Sequence, residues 1–174
     1  MKADEKPSLL NGKKILIVDD EEDVLDTLTE LLEACHLDRA SSFEEARELL
    51  ENNIYDAAVL DIMGVWGYDL LKIADSKNIP AIMLTAHALT KEDLLRSIKE
   101  GASYYAPKEK IGRIAEFIAD VLEARKLQKN IWARWFNSLG NYYDNKFGGV
   151  DWREMEQEFW EEKLKDWDSS GSRS

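Results

Sequence analysis

Three short aliphatic runs recur along this chain, and each ends on a polar residue: Ile15-Leu16-Ile17-Val18 before Asp19-Asp20, Ala57-Ala58-Val59-Leu60 before Asp61, and Ala81-Ile82-Met83-Leu84 before Thr85. Four apolar residues without alternation are the mark of a strand buried on both faces, as in a parallel sheet. The stretches between the runs carry apolar residues at helical spacing: Val24, Leu25, Leu28, Leu31 and Leu32; then Phe43, Ala46, Leu49 and Leu50; then Leu70, Leu71, Ile73 and Ala74; then Leu94, Leu95 and Ile98. Strand and helix alternate, which predicts a doubly wound α/β fold. Such sheets bind ligands beyond the carboxyl ends of their strands, where the strand order reverses. Asp19, Asp20, Asp61, Thr85 and, after a further segment, Lys108 are therefore predicted to meet on one rim.

Three carboxylates in one cleft repel one another unless a divalent cation or a raised pKa relieves them. A hard cation with oxygen ligands, Mg2+, meets that need; it keeps several waters, accepts one or two carboxylates and takes phosphate oxygens at its remaining positions. One carboxylate is then left to act as a nucleophile and form an aspartyl-phosphate, chemistry that needs charge neutralisation more than an acid or a base. Lys108 and the metal can neutralise charge, and Thr85 can donate to a phosphoryl oxygen. A plainer reading also stands for Asp19-Asp20, since with Glu21-Glu22-Asp23 they suit the N-terminus of a helix.

The segments ILIVDDEEDVLDTLTELL, AAVLDIM, AIMLTAHA and GASYYAPKE, in that order, resemble the receiver domain of two-component response regulators over residues 12 to 127. The resemblance implies a five-stranded, flavodoxin-like parallel sheet. It further implies that Asp61 accepts a phosphoryl group from a sensor histidine kinase or histidine phosphotransfer protein. Asp19, Asp20, Asp61 and the Met63 backbone carbonyl would hold Mg2+, Thr85 and Lys108 would bind the phosphoryl group, and Tyr105 would be an aromatic switch. Of Tyr104 and Tyr105, alternation turns one inward and one outward, and the inward one could equally be core.

The chain departs from the family pattern in two places. The stretch Gly64-Val65-Trp66-Gly67 after the acceptor is about two residues short, and Trp66 either covers the site, faces a partner or simply packs. Around Lys108 the family usually has a following proline, whereas here Pro107 precedes and Glu109 follows. Met63 and His87 occupy offsets that in the family tune hydrolysis of the acyl phosphate; Met63 cannot orient water, which predicts a fairly long-lived phosphoryl group, whereas His87 either acts the other way by positioning water or, the favoured reading, is a solvated loop histidine.

With 174 residues and a net charge of -12, the chain has room for one full domain and an appendage. No stretch is apolar for long enough to span a bilayer, and residues 1–11 have no apolar signal core, so a disordered lead-in and a cytoplasmic protein are expected. A lone Cys35, read as a small buried hydrophobe on the first helix, excludes a disulfide framework. His36 is placed near the end of that helix, facing water.

Beyond residue 127 the resemblance gives no help. The stripe Ile114, Phe117, Ile118, Val121, Leu122, Leu127, Ile131, Trp132, Trp135, Phe136 and Leu139 meets no Gly or Pro before Gly140, which predicts one long helix from about Ile111. Five of the six tryptophans follow residue 130. After Gly148-Gly149, Asp151 and Glu154 form a capping-box-like start for a helix presenting Trp152, Met155, Phe159, Trp160, Leu164 and Trp167. A helical hairpin over residues 128–168 is expected, folded back or mated in a homodimer, with a disordered end at 169–174. Residues 128–174 hold seven Lys or Arg against nine Asp or Glu, which argues against nucleic acid, and the acidic polar face argues against anionic lipid. The segment also has no histidine and too few residues for a catalytic core, so the chain is expected not to be an enzyme. Two functions remain: a phosphorylation-controlled module acting on an unknown downstream protein, or a phosphorelay intermediate whose tail is scaffold. A receiver that no longer takes phosphate is disfavoured because every required side chain is present.

Overall fold

The computed structural model describes residues 9–62, 66–86, 90–149, 152 and 158–164. Met63, His87, Asp151, Glu154, Met155 and Trp167 lie outside the described residues, as do the two expected disordered ends save residues 9–11. Five parallel strands, β1 (Lys14–Val18), β2 (His36–Ala40), β3 (Ala57–Asp61), β4 (Ala81–Thr85) and β5 (Tyr104–Pro107), form one sheet in the order β2-β1-β3-β4-β5. The order reverses between β1 and β3, the strands that end in the acidic residues. β1, β3 and β4 are almost wholly buried, as their aliphatic runs require. β2, with the sequence HLDRA, lies at the edge, so its polar residues face water and it has no apolar run to betray it.

Helices α1 (Glu22–Leu31), α2 (Phe43–Asn52), α3 (Gly67–Ser76) and α4 (Lys91–Lys99) follow the first four strands and bury most of the residues their spacing singles out, with Val24, Leu31, Phe43, Leu49 and Ile73 half-buried against the core. Ser42 and Thr90 cap α2 and α4 by accepting from the backbone N–H of Glu45 and Asp93. Two assignments move at the junction of α1 and β2. His36 is exposed, as expected, but opens β2 rather than ending a helix, and Cys35 is half-buried in the connecting turn, its thiol 3.5 Å from the Leu10 carbonyl oxygen.

The largest departure lies after β5. A 3-10 helix (Lys108–Arg113) precedes α5 (Ile114–Leu127), and the single long helix is broken: Gln128 turns left-handed at φ 55°, and Asn130 caps a separate α6 (Ile131–Lys146). The break is stabilised by what it buries. Trp132, Trp135, Leu139 and Tyr143 become buried, at about 2 kcal/mol each, against a left-handed penalty of about 1 kcal/mol at Gln128. Gly140 does not stop α6, because a helical glycine costs only about 1 kcal/mol and the aromatic stripe continues to Tyr143 and Phe147.

The first arm of the hairpin is therefore α6 alone rather than a helix from Ile111; it meets a helical stretch at 158–164, with Trp160 stacked on Trp135 at 6.0 Å and edge-on to Phe136 at 4.7 Å. The Asn130 side chain ties the two together by donating to the Lys163 carbonyl at 2.6 Å. This layer covers β5, so Tyr104 and Tyr105 are both fully buried and neither faces outward.

Gln128→Gly separates the two helical arrangements. Relief of the left-handed backbone outweighs the looser unfolded chain, so urea denaturation should show unchanged stability or a gain of up to about 1 kcal/mol. A loss of about 1 kcal/mol would place residue 128 inside a continuous helix.

Candidate functional site

The strand register brings the rim together. Val18 pairs with Leu60, so Asp19 follows β1 beside Asp61, the last residue of β3; Asp61 pairs with Leu84, and Thr85 pairs with Pro107, next to Lys108. Asp19 and Asp61 are buried to 1% and 3% exposure, whereas Asp20 is exposed. The Lys108 ammonium stands among them, 2.8 Å from Asp19 Oδ2, 3.1 Å from Glu21 Oε1 and 3.4 Å from Asp61 Oδ1. Asp19 Oδ1 accepts the Glu21 backbone N–H at 2.9 Å, so a turn hydrogen bond just before α1 and charge pairing use the two oxygens of one carboxylate.

Burial raises the pKa of Asp19; the adjacent Lys108 ammonium and the Glu21 N–H pull it down, and the charge of Asp61 pushes it further up. Burial works against the charge on Lys108, but Asp19, Asp61 and Glu21 outweigh it and hold the ammonium above its ordinary range. The lysine therefore stays charged at any physiological pH.

Carboxylate oxygens of Asp19, Asp20 and Glu21 lie within 4.8 Å of one another. Lys108 pairs with Asp19 Oδ2 without meeting hydrogen-bond geometry, leaving that buried oxygen with unfilled lone pairs. An all-oxygen donor set with such an atom fits a hard divalent cation. Glu21 was not singled out from the sequence; its signal was the unbroken acidic run after β1.

Thr85 is 4% exposed, and its hydroxyl donates to the Ala86 carbonyl oxygen at 3.0 Å. Tyr105 is buried near it; burial first, and then the charge of Asp93, raise its phenol pKa, with Thr85 acting weakly the other way. The Tyr105 hydroxyl makes no hydrogen bond to any described residue. A cleft of about 330 Å³ opens beside the ammonium, lined by Glu21, Val24, Thr85, Ala86, Pro107, Lys108 and Glu109.

On the other side of Asp61 the chain re-enters α3 at very close quarters. A Cβ at Gly67 would collide with the Asp61 carbonyl oxygen and lie 2.8 Å from Ile62 Cα, so only glycine permits this approach. Trp66, left-handed at φ 56°, is 70% exposed and stands 6.3 Å from the Phe43 ring, so it does not cover Asp61.

Comparison with known proteins agrees with this geometry. The response regulator receiver domain family matches residues 15–119, and the chain belongs to that family. It is 31% identical over 127 residues to the two-component response regulator ARR10 of Arabidopsis thaliana, covering 68% of this chain and 23% of that protein. Response regulator protein PilR of Pseudomonas aeruginosa is 31% identical over 123 residues, covering 67% and 27%. The chain thus spans about a quarter of the length of these curated relatives. Among solved structures, the response regulator receiver domain protein from Clostridium thermocellum superposes with a TM-score of 0.58 at 30% identity, covering 67% of this chain and 98% of that one. The resemblance seen in the motifs is therefore a family membership, and the fold is that of a receiver. Among the described residues, no helix is long and apolar enough to cross a membrane.

Two measurements test the site. Because the folded-state pKa of Asp19 is raised, the folded protein holds that proton more tightly than the unfolded chain, and stability is lost as pH climbs from the ordinary value of 3.8 through the raised one. In EDTA, Asp19→Asn should therefore gain stability relative to the parent across that window and hold the gain up to neutral pH; a parallel pH profile would refute the raised pKa. Gly67→Ala should cost about 1–3 kcal/mol by overpacking against the Asp61 backbone, read by chemical denaturation, and an unchanged midpoint would show that the approach is not tight.

Proposed function

We propose that this chain is a phosphoacceptor of a two-component system, taking a phosphoryl group on Asp61 from a histidine kinase or a histidine phosphotransfer protein in the cytoplasm. The observation that carries the reading is the Lys108 ammonium held by the buried Asp19 and Asp61 together. An Asp61 carboxylate oxygen attacks phosphorus; the new O–P bond forms as the N–P bond of the phosphohistidine breaks, and the imidazole leaves with the bonding pair. Lys108 can follow the incoming charge by leaving Asp19 for a phosphoryl oxygen, and Thr85 can turn its hydroxyl from the Ala86 carbonyl to another. Asp19, Asp20 and Asp61, with Glu21 close by and, as the resemblance implies, the Met63 carbonyl, would hold Mg2+, which would neutralise the phosphoryl charge. The cleft beside Lys108 includes the exposed Glu21 and Glu109 in its lining.

The protein is in this reading a signalling acceptor rather than an enzyme, with output through contact with another protein. Tyr105 suits the switch role because its buried hydroxyl has no partner among the described residues and Thr85 is its neighbour. The phosphorelay alternative needs the same acceptor chemistry and differs only in what α6 and the segment after it do.

With Mg2+ and acetyl phosphate, intact mass should rise by one phosphoryl group in the parent and stay unchanged in Asp61→Asn. EDTA should abolish the gain, and Asp20→Asn should weaken the Mg2+ requirement's half-saturation about tenfold or more. A gain that persists in Asp61→Asn would place the acceptor elsewhere.

A further inference from the structure

β5 is the edge strand of the sheet, and its outward backbone carbonyls have no strand to accept from. At Tyr105 that need is met from the appended layer. The Trp135 indole N–H donates to the Tyr105 carbonyl oxygen at 2.8 Å, and the Tyr143 hydroxyl approaches the same oxygen at 3.5 Å. Three residues later the chain carries Lys108, and immediately beyond it α6 takes hold again: the Tyr142 hydroxyl donates to Glu109 Oε1, and the Lys110 ammonium stands 5.7 Å over the Tyr142 ring. Lys108 therefore sits on a six-residue segment, Tyr105 to Lys110, gripped by α6 on both sides of the lysine and drawn at its centre into the acidic cluster.

We propose that α6 is a working part of the phosphoacceptor site, with Trp135 a positioning residue that acts through the backbone of Tyr105 to hold Lys108 in reach of Asp61. The inference rests on the reading of Asp61 as acceptor. Indole is needed at position 135 because phenylalanine keeps an aromatic ring there but has no N–H to give the carbonyl; the gap left by the smaller ring is common to Trp160→Phe, which serves as its control. Trp160 provides the internal contrast: it is equally part of the aromatic cluster, stacked on Trp135, yet its own indole N–H has no partner among the described residues. Small displacements of a charged group around a transferring phosphoryl cost large factors in rate. Coupling between two sites is also reciprocal, so a change of charge at Asp61 must alter how firmly α6 is seated.

The full chain, Trp135→Phe and Trp160→Phe are compared for phosphorylation by acetyl phosphate with Mg2+, with Asp61→Asn as control. Trp135→Phe should lower the limiting rate about tenfold with the half-saturating donor concentration unchanged, and Trp160→Phe should stay within about twofold of the parent. Equal losses in both variants, or none in Trp135→Phe, would overturn the positioning role while leaving Asp61 in place. Phosphorylation of Asp61→Asn would instead overturn the acceptor reading. A second readout needs no phosphoryl transfer: in the 15N-labelled protein, Lys108→Met should shift the Trp135 indole N–H signal and speed its exchange with solvent, with the Trp160 signal unmoved. An unmoved Trp135 signal would sink the proposal even if Trp135→Phe does not fold.

Discussion

One ammonium group sets the balance of this molecule's working end. The topology forces buried carboxylates from β1 and β3 into a shared rim, and without a cation among them their repulsion would oppose the register that brings them together. Lys108, delivered from the far end of the sheet by the 3-10 turn after β5, resolves that conflict by contacting Asp19, Glu21 and Asp61 at once. The same nitrogen is the group best placed to follow new negative charge arriving on Asp61. In the proposed reading the resting site and the signalling chemistry therefore draw on one contact, and a phosphoryl group on Asp61 would compete for a lysine that Asp19 and Glu21 already hold.

The layer built from α6 and residues 158–164 lies beyond the residues that the receiver family matches. It covers the open edge of the sheet, buries both tyrosines of β5 and fastens the backbone on either side of Lys108. Arg134 adds a charged seam to α5, 2.5 Å from Glu123 and 3.9 Å from the buried Asp120. Lys99 of α4 stands 5.4 Å over the Phe159 ring, so the layer reaches across β5 from α5 to α4. A surface that would otherwise be open to a partner is thus occupied by the chain's own aromatic residues.

Much of this was legible in the sequence because the signals were redundant. Aliphatic runs gave β1, β3 and β4, helical spacing gave α1 to α4, and the polar residue after each run gave the rim, each element agreeing with its neighbours. β2 was harder, since an edge strand needs no apolar run and HLDRA has none. The break at Gln128 had one faint local signal, the N-cap residue Asn130; glutamine itself is a good helix former, and the burial of Trp132, Trp135 and Tyr143 against the receiver makes the left-handed turn favourable. Glu21 lay in plain sight in the acidic run after β1, but its pairing with Lys108, like the indole bond from Trp135 to Tyr105, depends on a tertiary approach across many intervening residues. Glycine at position 67 could be read as a turn residue, but its reason, the backbone of Asp61 pressed against it, is a fact of three dimensions.

The most direct test of the account is a crystal structure of the full chain grown with Mg2+ and beryllofluoride, a tetrahedral mimic of the phosphoryl group. The account predicts the fluoride group on an Asp61 carboxylate oxygen, with the Lys108 ammonium withdrawn from Asp19 Oδ2 and turned to a fluoride. A structure with Asp61 unmodified and Lys108 still 2.8 Å from Asp19 would contradict it.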